Sequence, residues 1–120
     1  MQTSALQLLP TTTYGTPSGN YDGSSQDWSG DRQKAAAYYG GFGDLQTLAF
    51  YLLGFTGTIQ IQATLDSDPT QDSQWFSVYE YVADAVTDNF SRNITGNFTW
   101  IRANVQDFTA GTITKVVCSY

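Results

Sequence analysis

The clearest alternation of hydrophobic and polar positions in this chain covers Thr58–Leu65. Every second residue there is apolar, and the residues between them are Thr or Gln. A period of two is typical of a β-strand that packs one face on a core and turns the other face towards water. The pattern therefore predicts a half-buried strand at Thr58–Leu65. Its predicted core residues are Ile59, Ile61, Ala63 and Leu65.

Four more segments carry the aromatic and β-branched residues that favour strands. They are Asp44–Leu53, Trp75–Tyr81, Asn97–Val105 and Thr112–Tyr120. Asn97–Val105 also alternates, which adds Ile101, Ala103 and Val105 to the predicted core. Asp44–Leu53 is a continuous apolar run, so its pattern predicts a buried strand, although its length also permits a helix.

Shorter signals lie between these segments. Ser4–Leu9 is predicted to be a short edge strand that ends at Pro10, because proline cannot donate a hydrogen bond to a neighbouring strand. Ala83–Asn89 is predicted to turn. Any helix should be short, and the alanines within Arg32–Tyr39 make that segment the most favourable place for one.

Two segments of the chain are similar to each other. Phe55–Ile59 reads Phe-Thr-Gly-Thr-Ile, and Phe108–Ile113 has the same residues with one Ala inserted before the glycine. In each segment the glycine precedes a predicted strand, as a tight turn with positive φ requires. We interpret the two segments as similar hairpin turns, although coincidence in a chain rich in Thr and Gly explains them equally well.

Short strands joined by Gly- and Asp-rich connections predict an all-β fold. The fold class that we expect is a single antiparallel β-sandwich, jelly-roll-like, with an irregular N-terminal arm. A chain of 120 residues is long enough for one domain and too short for two. Within that one domain, residues 1–43 are predicted to form the N-terminal strand and extended arm, and residues 44–120 the β-sandwich core.

The arm contains a segment, Thr11–Asp31, that is dense in Gly, Ser, Thr, Asn and Asp and has no sustained period. Such a composition is typical of loops. Ordering about 20 loop residues costs on the order of 20 kcal/mol of backbone entropy, which scattered polar contacts do not offset. We therefore predict that Tyr14, Tyr21 and Trp28 anchor the segment on this domain or on a neighbouring protein, because aromatic rings bury a large area with few rotatable bonds.

The charge balance restricts the kinds of partner. The chain has 5 Lys and Arg against 11 Asp and Glu, which gives a net charge of −6. Nucleic acids and anionic membranes both need a basic surface, so neither is expected as a partner. The chain has no apolar run near the roughly 20 residues of a membrane span, and its first residues lack the basic start and apolar stretch of a signal peptide. Its single Cys cannot form an internal disulfide.

Few residues are available for catalysis. The chain has no His, the commonest general base and metal ligand. Cys118 lies in a predicted strand and is interpreted as a buried structural thiol. Glu80 with Asp84 or Asp88 would supply the two carboxylates of a glycosidase, but turn and strand-surface roles explain these residues as well. We therefore predict no catalytic residue, no cofactor and no enzymatic activity.

Asp66, Asp68 and Asp72 are a weak candidate for a metal site. Calcium prefers several carboxylate and carbonyl oxygens. The segment lacks the spacing, the glycine and the terminal Glu of an EF-hand, and Asp and Ser around Pro69 are also typical of a solvated turn. The turn is the preferred interpretation.

Trp28, Trp75 and Trp100, together with eight Tyr, have two interpretations. Exposed rings would form a platform that stacks on sugars or a protein interface. Buried rings would belong to the core and to cross-strand pairs.

Several strings along the chain resemble a module of virion structural proteins. They are Gly57–Asp66, Trp75-Phe76, Asn93–Ala103, Phe108–Ile113 and the closing Val117–Tyr120, with Ser18–Ser25 and Gly40–Gly43 in the N-terminal part. The proteins that they resemble belong to tailed bacteriophages, notably the contractile-tailed phages of marine cyanobacteria. The resemblance covers nearly the whole chain, and that group carries no catalytic motif.

The resemblance implies a non-enzymatic assembly module on the tail, neck, fibre or capsid surface of a virion, made in the bacterial host cytoplasm. Its partners would be other virion proteins and copies of itself. The alternative is a carbohydrate-binding β-sandwich module that recognises host surface glycans. Alternation points Arg102 away from the core, and we predict that it pairs with a carboxylate or backbone carbonyls of this chain or a neighbour. The predicted partner interface comprises Tyr14, Tyr21, Trp28 and Arg102.

Overall fold

The chain folds into one antiparallel sheet. The computed structural model describes residues 5–37 and 45–120. Their strands are β1 (Ala5–Leu9), β2 (Thr12–Thr13), β3 (Trp28–Ser29), β4 (Gln33–Lys34), β5 (Leu45–Thr64), β6 (Phe76–Thr95) and β7 (Trp100–Ser119). A short 3₁₀ helix, Asp72–Gln74, precedes β6, and the described ranges contain no α-helix. No helix in these ranges has the length and hydrophobicity needed to cross a membrane.

Three long strands make up most of the sheet. β5 lies in the centre, hydrogen-bonded to β6 on one side and to β7 on the other. The pairing extends over nearly the whole of β5, from Leu45 opposite Thr95 on β6 to Thr64 opposite Trp100 on β7. Both backbone edges of β5 are therefore paired, which makes it the central strand of the sheet.

Each long strand folds back on itself near its middle. A straight strand of 20 residues would be about 66 Å long at about 3.3 Å per residue, whereas the longest dimension of the molecule is 40 Å. The register of β5 shifts against both neighbours within residues 51–58. The buried positions change there from even to odd, since Phe50 and Leu52 are buried before the shift and Ile59 and Ile61 after it. One bent sheet therefore supplies both layers of the sandwich.

Residues with positive φ form the bend in all three long strands. Gly54 in β5 has a φ of 61°, Ala85 in β6 one of 53° and Gly111 in β7 one of 89°. Glycine adopts such angles without a steric penalty. A Cβ at Gly111 would also collide with the backbone of Gly54. Glycine is therefore required at position 111 both by its φ and by the close approach of two strands.

Side chains from the two halves of the bent sheet form the core between them. Phe50 stacks on Phe90 of the same layer, with 4.9 Å between ring centroids, and reaches Tyr79 of the opposite layer at 5.8 Å. Tyr81 contacts Phe90 across the same gap at 4.6 Å. Apolar side chains of β5 and β7 complete the core. They include Leu48, Leu52, Ile59, Ile61, Ile101, Val105, Ile113 and Val116.

Because each long strand folds back, both of its ends lie at the same end of the molecule. The two ends of β7 meet there, since the Tyr120 hydroxyl donates a hydrogen bond to Lys34 O at 2.9 Å and Lys34 pairs with Trp100. We call this region, opposite the bend, the open end. It comprises the first and last residues of β5, β6 and β7, residues 65–75 and 96–99 between them, and Tyr120.

The N-terminal arm lies along the outer edge of β7. β1 pairs with residues 116–119 of β7, β2 with 112–113, β3 with 104–105 and β4 with 100–101. The four short strands therefore act together as one interrupted neighbour of β7. They also contribute to the core, because Leu8, Leu9 and Trp28 are buried.

The all-β antiparallel sandwich with an irregular N-terminal arm is confirmed. The described parts of the five predicted strands are mainly strand, and β1 confirms the predicted edge strand before Pro10. The buried residues of the two alternating segments are also confirmed. They are Ile59, Ile61, Ala63, Ile101, Ala103 and Val105. Ser4, Asp44, Gly40–Gly43 and positions 38–39 of the suggested helix lie outside the described residues.

The prediction of two hairpin turns was wrong. Phe55–Ile59 and Phe108–Ile113 lie at the bends of β5 and β7, where each strand continues. They are neighbours, because Thr56 pairs with Ala110 and the rings of Phe55 and Phe108 are 5.6 Å apart. A glycine with positive φ suits a bend within a strand as well as it suits a hairpin, so the local pattern does not separate the two.

Two further predictions were wrong. Ala83–Asn89 belongs to β6 and is not a turn. Since β6 is paired on one side only and most of its side chains are exposed, its sequence shows no clear alternation. Leu65 was predicted to be a core residue but is 65% exposed. β5 ends at Thr64, so the alternating sequence pattern continues one residue beyond the strand. The described part of the suggested helix contains β4 and a turn.

Candidate functional site

Aromatic side chains hold the arm against the bend of β7. Tyr21 contacts Trp28 and Phe108, with ring centroids 5.4 and 5.2 Å away. Tyr14 meets Phe108 edge to face at 5.7 Å. The Tyr21 hydroxyl also accepts a hydrogen bond from Gly15 N at 3.0 Å. The polar segment is therefore ordered by rings that pack within the chain.

The three aromatic residues of the predicted interface differ in exposure. Tyr21 is 1% exposed and Trp28 is 8% exposed, whereas Tyr14 is 48% exposed. In this conformation, of these three rings, Tyr14 is the one with substantial surface for a partner to cover. Contact of these residues with a partner stays a prediction.

Trp28 lines a cleft of about 280 Å³ beside the arm. Its indole Nε1 is buried and has no hydrogen-bond partner among the described residues. Leaving a buried donor unpaired costs about 1–3 kcal/mol, so such groups are rare in folded proteins. The cleft also has polar and apolar walls. The polar side chains are Gln7, Asn20, Asp31 and Gln33, and the apolar ones include Leu8 and Pro10.

Two residues set the shape of this cleft. Asn20 donates from Nδ2 to Ser29 O and to Asp31 Oδ1, both at 2.9 Å, which holds the Asp31 carboxylate in position. A Cβ at Gly30 would collide with the carbonyl oxygen of Leu8, so β1 crosses close to the segment between β3 and β4. The absence of a side chain at Gly30 therefore allows the two segments to meet.

A second cleft, of about 200 Å³, shares Gly30 and Asp31 with the first. Arg32 lines it and forms an ion pair with Asp68 at 3.1 Å. The Arg32 guanidinium also lies over the ring of Trp100, 4.3 Å from its centroid. These contacts join the segment after β3 to the loop between β5 and β6.

Arg102 lines the same second cleft from β7. Its Nε donates to Gln62 Oε1 at 2.7 Å, and its guanidinium lies 4.4 Å from the centroid of the Trp75 ring. The side-chain amide of Gln62 is a kind of partner that the sequence did not predict. Alternation did place Arg102 on the face opposite Ile101 and Ala103, which are buried.

The acidic loop is held by contacts within the chain. Asp66 Oδ2 accepts a hydrogen bond from Gln74 Nε2 at 2.9 Å, and Asp68 is paired with Arg32. The side chain of Asp72 is outside the described part. Within that part, no group of three or more acidic, Cys or His side chains is arranged to hold a metal ion. A calcium site that includes Asp72 stays the weak alternative to the preferred interpretation as a turn.

The other titratable candidates are separate from the clefts. Cys118 is buried in β7, and this burial raises the pKa of its thiol to about 11, which favours the neutral form. Glu80, Asp84 and Asp88 are exposed on β6.

Asp22 has a pKa lowered to about 2, chiefly by the hydrogen bond from Ser25 N at 2.7 Å and then by that from Ser24 N at 2.9 Å. These contacts with the backbone form a turn within the arm.

Most residues of the two clefts were not predicted as a site. Trp28 and Arg102 were singled out by type, whereas Asn20, Asp31 and Gln33 carry no motif. They come together because the arm folds along β7, a long-range arrangement that no local pattern encodes. The density of Asn, Asp and Gly in Thr11–Asp31 was the available signal, and it equally describes an ordinary loop.

Comparisons with known proteins identify no relative of this chain. No family model, no curated protein and no solved structure matches the chain.

Proposed function

We propose that this chain is a non-enzymatic structural module of a tailed-phage virion, which attaches to other virion proteins through its open end. The observation that carries the proposal is the exposure of large apolar side chains there. Of the seven large hydrophobic residues that are exposed in the described ranges, four belong to the open end. They are Leu45, Leu65, Phe76 and Tyr120. Apolar groups that are exposed in one region mark sites of protein interaction.

The open end is suited to a lasting contact. Burying a Leu or Phe side chain against a partner stabilises a complex by about 1.5–3 kcal/mol. Phe76 is supported by Phe98, whose ring meets it edge to face at 5.9 Å. A ring that is already held in place loses little conformational entropy when a partner covers it.

The position of the resembling strings also supports the proposal. Asn93–Ala103 spans the end of β6, the connection after it and the start of β7, all at the open end. The string that most resembles phage virion modules therefore lies where the apolar side chains are exposed.

The test is incorporation into particles. A tagged copy of the chain is expressed in cells infected with the phage that carries the sequence, and particles are purified on a density gradient and washed in high salt. We expect a fixed number of copies per particle. Absence of the chain from washed particles would contradict the proposal.

A matched pair of variants tests the role of the open end. Leu65→Asp places a charge at the open end, and Leu53→Asp places one at the bend, where the native Leu is similarly exposed at 58%. We expect the first variant to be lost from particles and the second to be retained. Equal retention of two folded variants would assign the attachment to another surface.

A second candidate function is recognition of host surface glycans, and the two clefts that share Gly30 and Asp31 favour it. They combine indole, carboxylate, amide and guanidinium groups, which bind hydroxyl groups by donating and accepting hydrogen bonds. Trp28 is buried, and Trp75 and Trp100 each have a guanidinium over the ring. Recognition in these clefts would therefore depend on hydrogen bonds and not on an open stacking platform.

A further inference from the structure

We infer that the cleft lined by Trp28 binds one residue of a neutral saccharide, with a sugar hydroxyl that accepts a hydrogen bond from Trp28 Nε1 and donates one to Asp31. The inference rests on the second candidate function, glycan recognition, and names the site and the class of ligand. Three features of the cleft carry it: an unpaired donor, a carboxylate that lines the same cleft, and a neutral-to-acidic lining.

The first feature is the indole of Trp28. The ring packs on Tyr21 and Phe108, which fixes its position, and its Nε1 has no partner among the described residues although the side chain is more than nine-tenths buried. Indole is a donor only. A partner for Nε1 must therefore be an acceptor, and in the proposed complex a ligand in the cleft that Trp28 lines supplies it.

The second feature is the Asp31 carboxylate, which lines the same cleft and accepts from Asn20 Nδ2. An ionised carboxylate only accepts hydrogen bonds, so a ligand atom shared with Trp28 must both accept and donate. A hydroxyl group does both. The amides of Gln7 and Gln33 supply further donors and acceptors for neighbouring hydroxyls.

The third feature is the charge of the lining. Neither Lys nor Arg lines this cleft, and Asp31 is negative. An anionic ligand such as a phosphate or a carboxylate would be repelled and would meet no cation. Leu8 and Pro10 provide an apolar wall for the C–H face of a sugar ring. A neutral polyol satisfies the polar and apolar walls together.

The size of the clefts fits this ligand. A volume of about 280 Å³ is the space of about nine water molecules, which accommodates one hexose ring. The second cleft begins at the same Gly30 and Asp31 and leads to Arg32 and Arg102. The next sugar of an oligosaccharide therefore enters the second cleft, where guanidinium groups donate to its hydroxyls.

The test is a titration followed by the indole N–H signals of the chain, which has three Trp. The probes are glucose, galactose, mannose, N-acetylglucosamine, maltotriose and chitotriose, each added to millimolar concentration. We expect a saturable downfield shift of the Trp28 signal with at least one probe. For the monosaccharide probes the Trp100 signal serves as an internal control, because its Nε1 already donates to Ser67 O at 2.9 Å and Trp100 does not line the first cleft.

Two variants assign the site. Trp28→Phe keeps an aromatic ring but removes the donor, and we expect binding to weaken about five- to tenfold. Asp31→Asn removes the charge at an exposed position, so the fold is retained, and we expect a similar loss. The matched control is Asp84→Asn on β6, which should bind as the native chain does. Asp31→Asn also tests the site if Trp28→Phe does not fold.

The outcomes separate the site from the function. Saccharide binding with an unmoved Trp28 signal and unchanged affinity of Asp31→Asn would overturn this site and leave glycan recognition standing. No response of any signal to any probe would overturn both. A response of Trp28 to inorganic phosphate in place of the sugars would overturn the assignment of a neutral ligand. None of these results bears on incorporation into particles, which tests the assembly proposal independently.

Discussion

Phe108 contacts the rings of Tyr14, Tyr21, Trp28 and Phe55, so that one side chain joins the arm to two long strands at the bend. Its removal would leave a cavity among rings that the rigid backbone of β5 and β7 cannot close. The cost of such a cavity adds to the lost transfer free energy of the ring.

We expect Phe108→Ala to lower the free energy of unfolding by about 3–5 kcal/mol, measured by urea denaturation. The matched control is Phe76→Ala at the open end, where the native ring is 43% exposed and the expected loss is about 1 kcal/mol or less. Equal losses for the two variants would show that Phe108 is not a centre of the packing.

The Cys118 thiol makes stability depend on pH in the alkaline range. Burial raises its pKa from 9.0 to about 11, so the folded chain keeps a proton that the unfolded chain has lost. The contribution of the thiol is therefore complete below pH 9 and is lost as the pH rises towards 11.

We expect the urea midpoint of the native chain to fall more steeply between pH 9 and 11 than that of Cys118→Ala. The tyrosines titrate in both proteins, so the difference between the two curves isolates the thiol. Parallel curves would mean that the thiol titrates alike in the folded and unfolded chains.

At the scale of elements, the bend depends on backbone geometry that glycine provides. Gly111 and Gly15 have nearly the same positive φ, 89° and 88°. A Cβ at Gly111 would collide with Gly54, whereas a Cβ at Gly15 would meet nothing within 4 Å. The pair separates the cost of the backbone angle from the cost of the close approach.

We expect Gly15→Ala to destabilise the chain by about 1–2 kcal/mol, the cost of the backbone angle alone. Gly111→Ala should destabilise it by about 1–3 kcal/mol more, because β5 and β7 must move apart at the bend. Thermal or urea unfolding measures both. Equal losses of stability in the two variants would show that the backbone at Gly54 moves away from a Cβ at position 111 without a further cost.

The sequence predicts best those elements whose two faces differ. Thr58–Leu65 alternates because Ile59 and Ile61 face the core while Gln60 and Gln62 lie on the outer face, so the prediction holds for the centre of the segment. It fails at Thr58 and Thr64, which the pattern placed on the solvated face and which are buried. Ala83–Asn89 was wrongly predicted to turn, because an edge strand whose side chains are mostly exposed shows no alternation of apolar and polar residues. Phe55–Ile59 and Phe108–Ile113 were interpreted as hairpin turns, because a glycine with positive φ gives the same local sequence pattern in a turn and in a bend within a strand.

The candidate site was less accessible to prediction than the strands. Trp28 was identified as an anchor by its size, but its unpaired Nε1 depends on which groups surround it in the fold. The cleft brings Gln7, Asn20 and Asp31 together across β1, the loop before β3 and the segment after it. Such a meeting is set by the path of the arm over β7, and its residues carry no shared spacing.

At the scale of the whole molecule, the arm is part of the sheet. β1 to β4 cover the edge of β7 with backbone hydrogen bonds, and Leu8, Leu9, Tyr21 and Trp28 of the arm are buried in the core. A chain without the arm would expose a long edge and a large apolar area of β7 and β5 to water.

We therefore expect a chain that lacks residues 1–31 to show no cooperative unfolding transition and to aggregate on expression. Circular dichroism in urea and size-exclusion chromatography measure the two effects. Tyr14→Ala, which changes an exposed ring of the arm, is the control and should fold. A truncated chain that unfolds cooperatively would show that residues 32–120 fold without residues 1–31.

The pairing of Ala5 with Ser119 places both ends of the described chain on adjacent antiparallel strands. Tension applied between these two residues would load one pair of hydrogen bonds at a time, so that β1 would separate from β7 residue by residue, starting at Ala5. Tension applied between the open end of β5 and the bend of β7 would instead pull these neighbours past each other and strain many of their hydrogen bonds together in shear. The molecule is therefore mechanically anisotropic: it resists stretching along its length and yields when its ends are drawn apart.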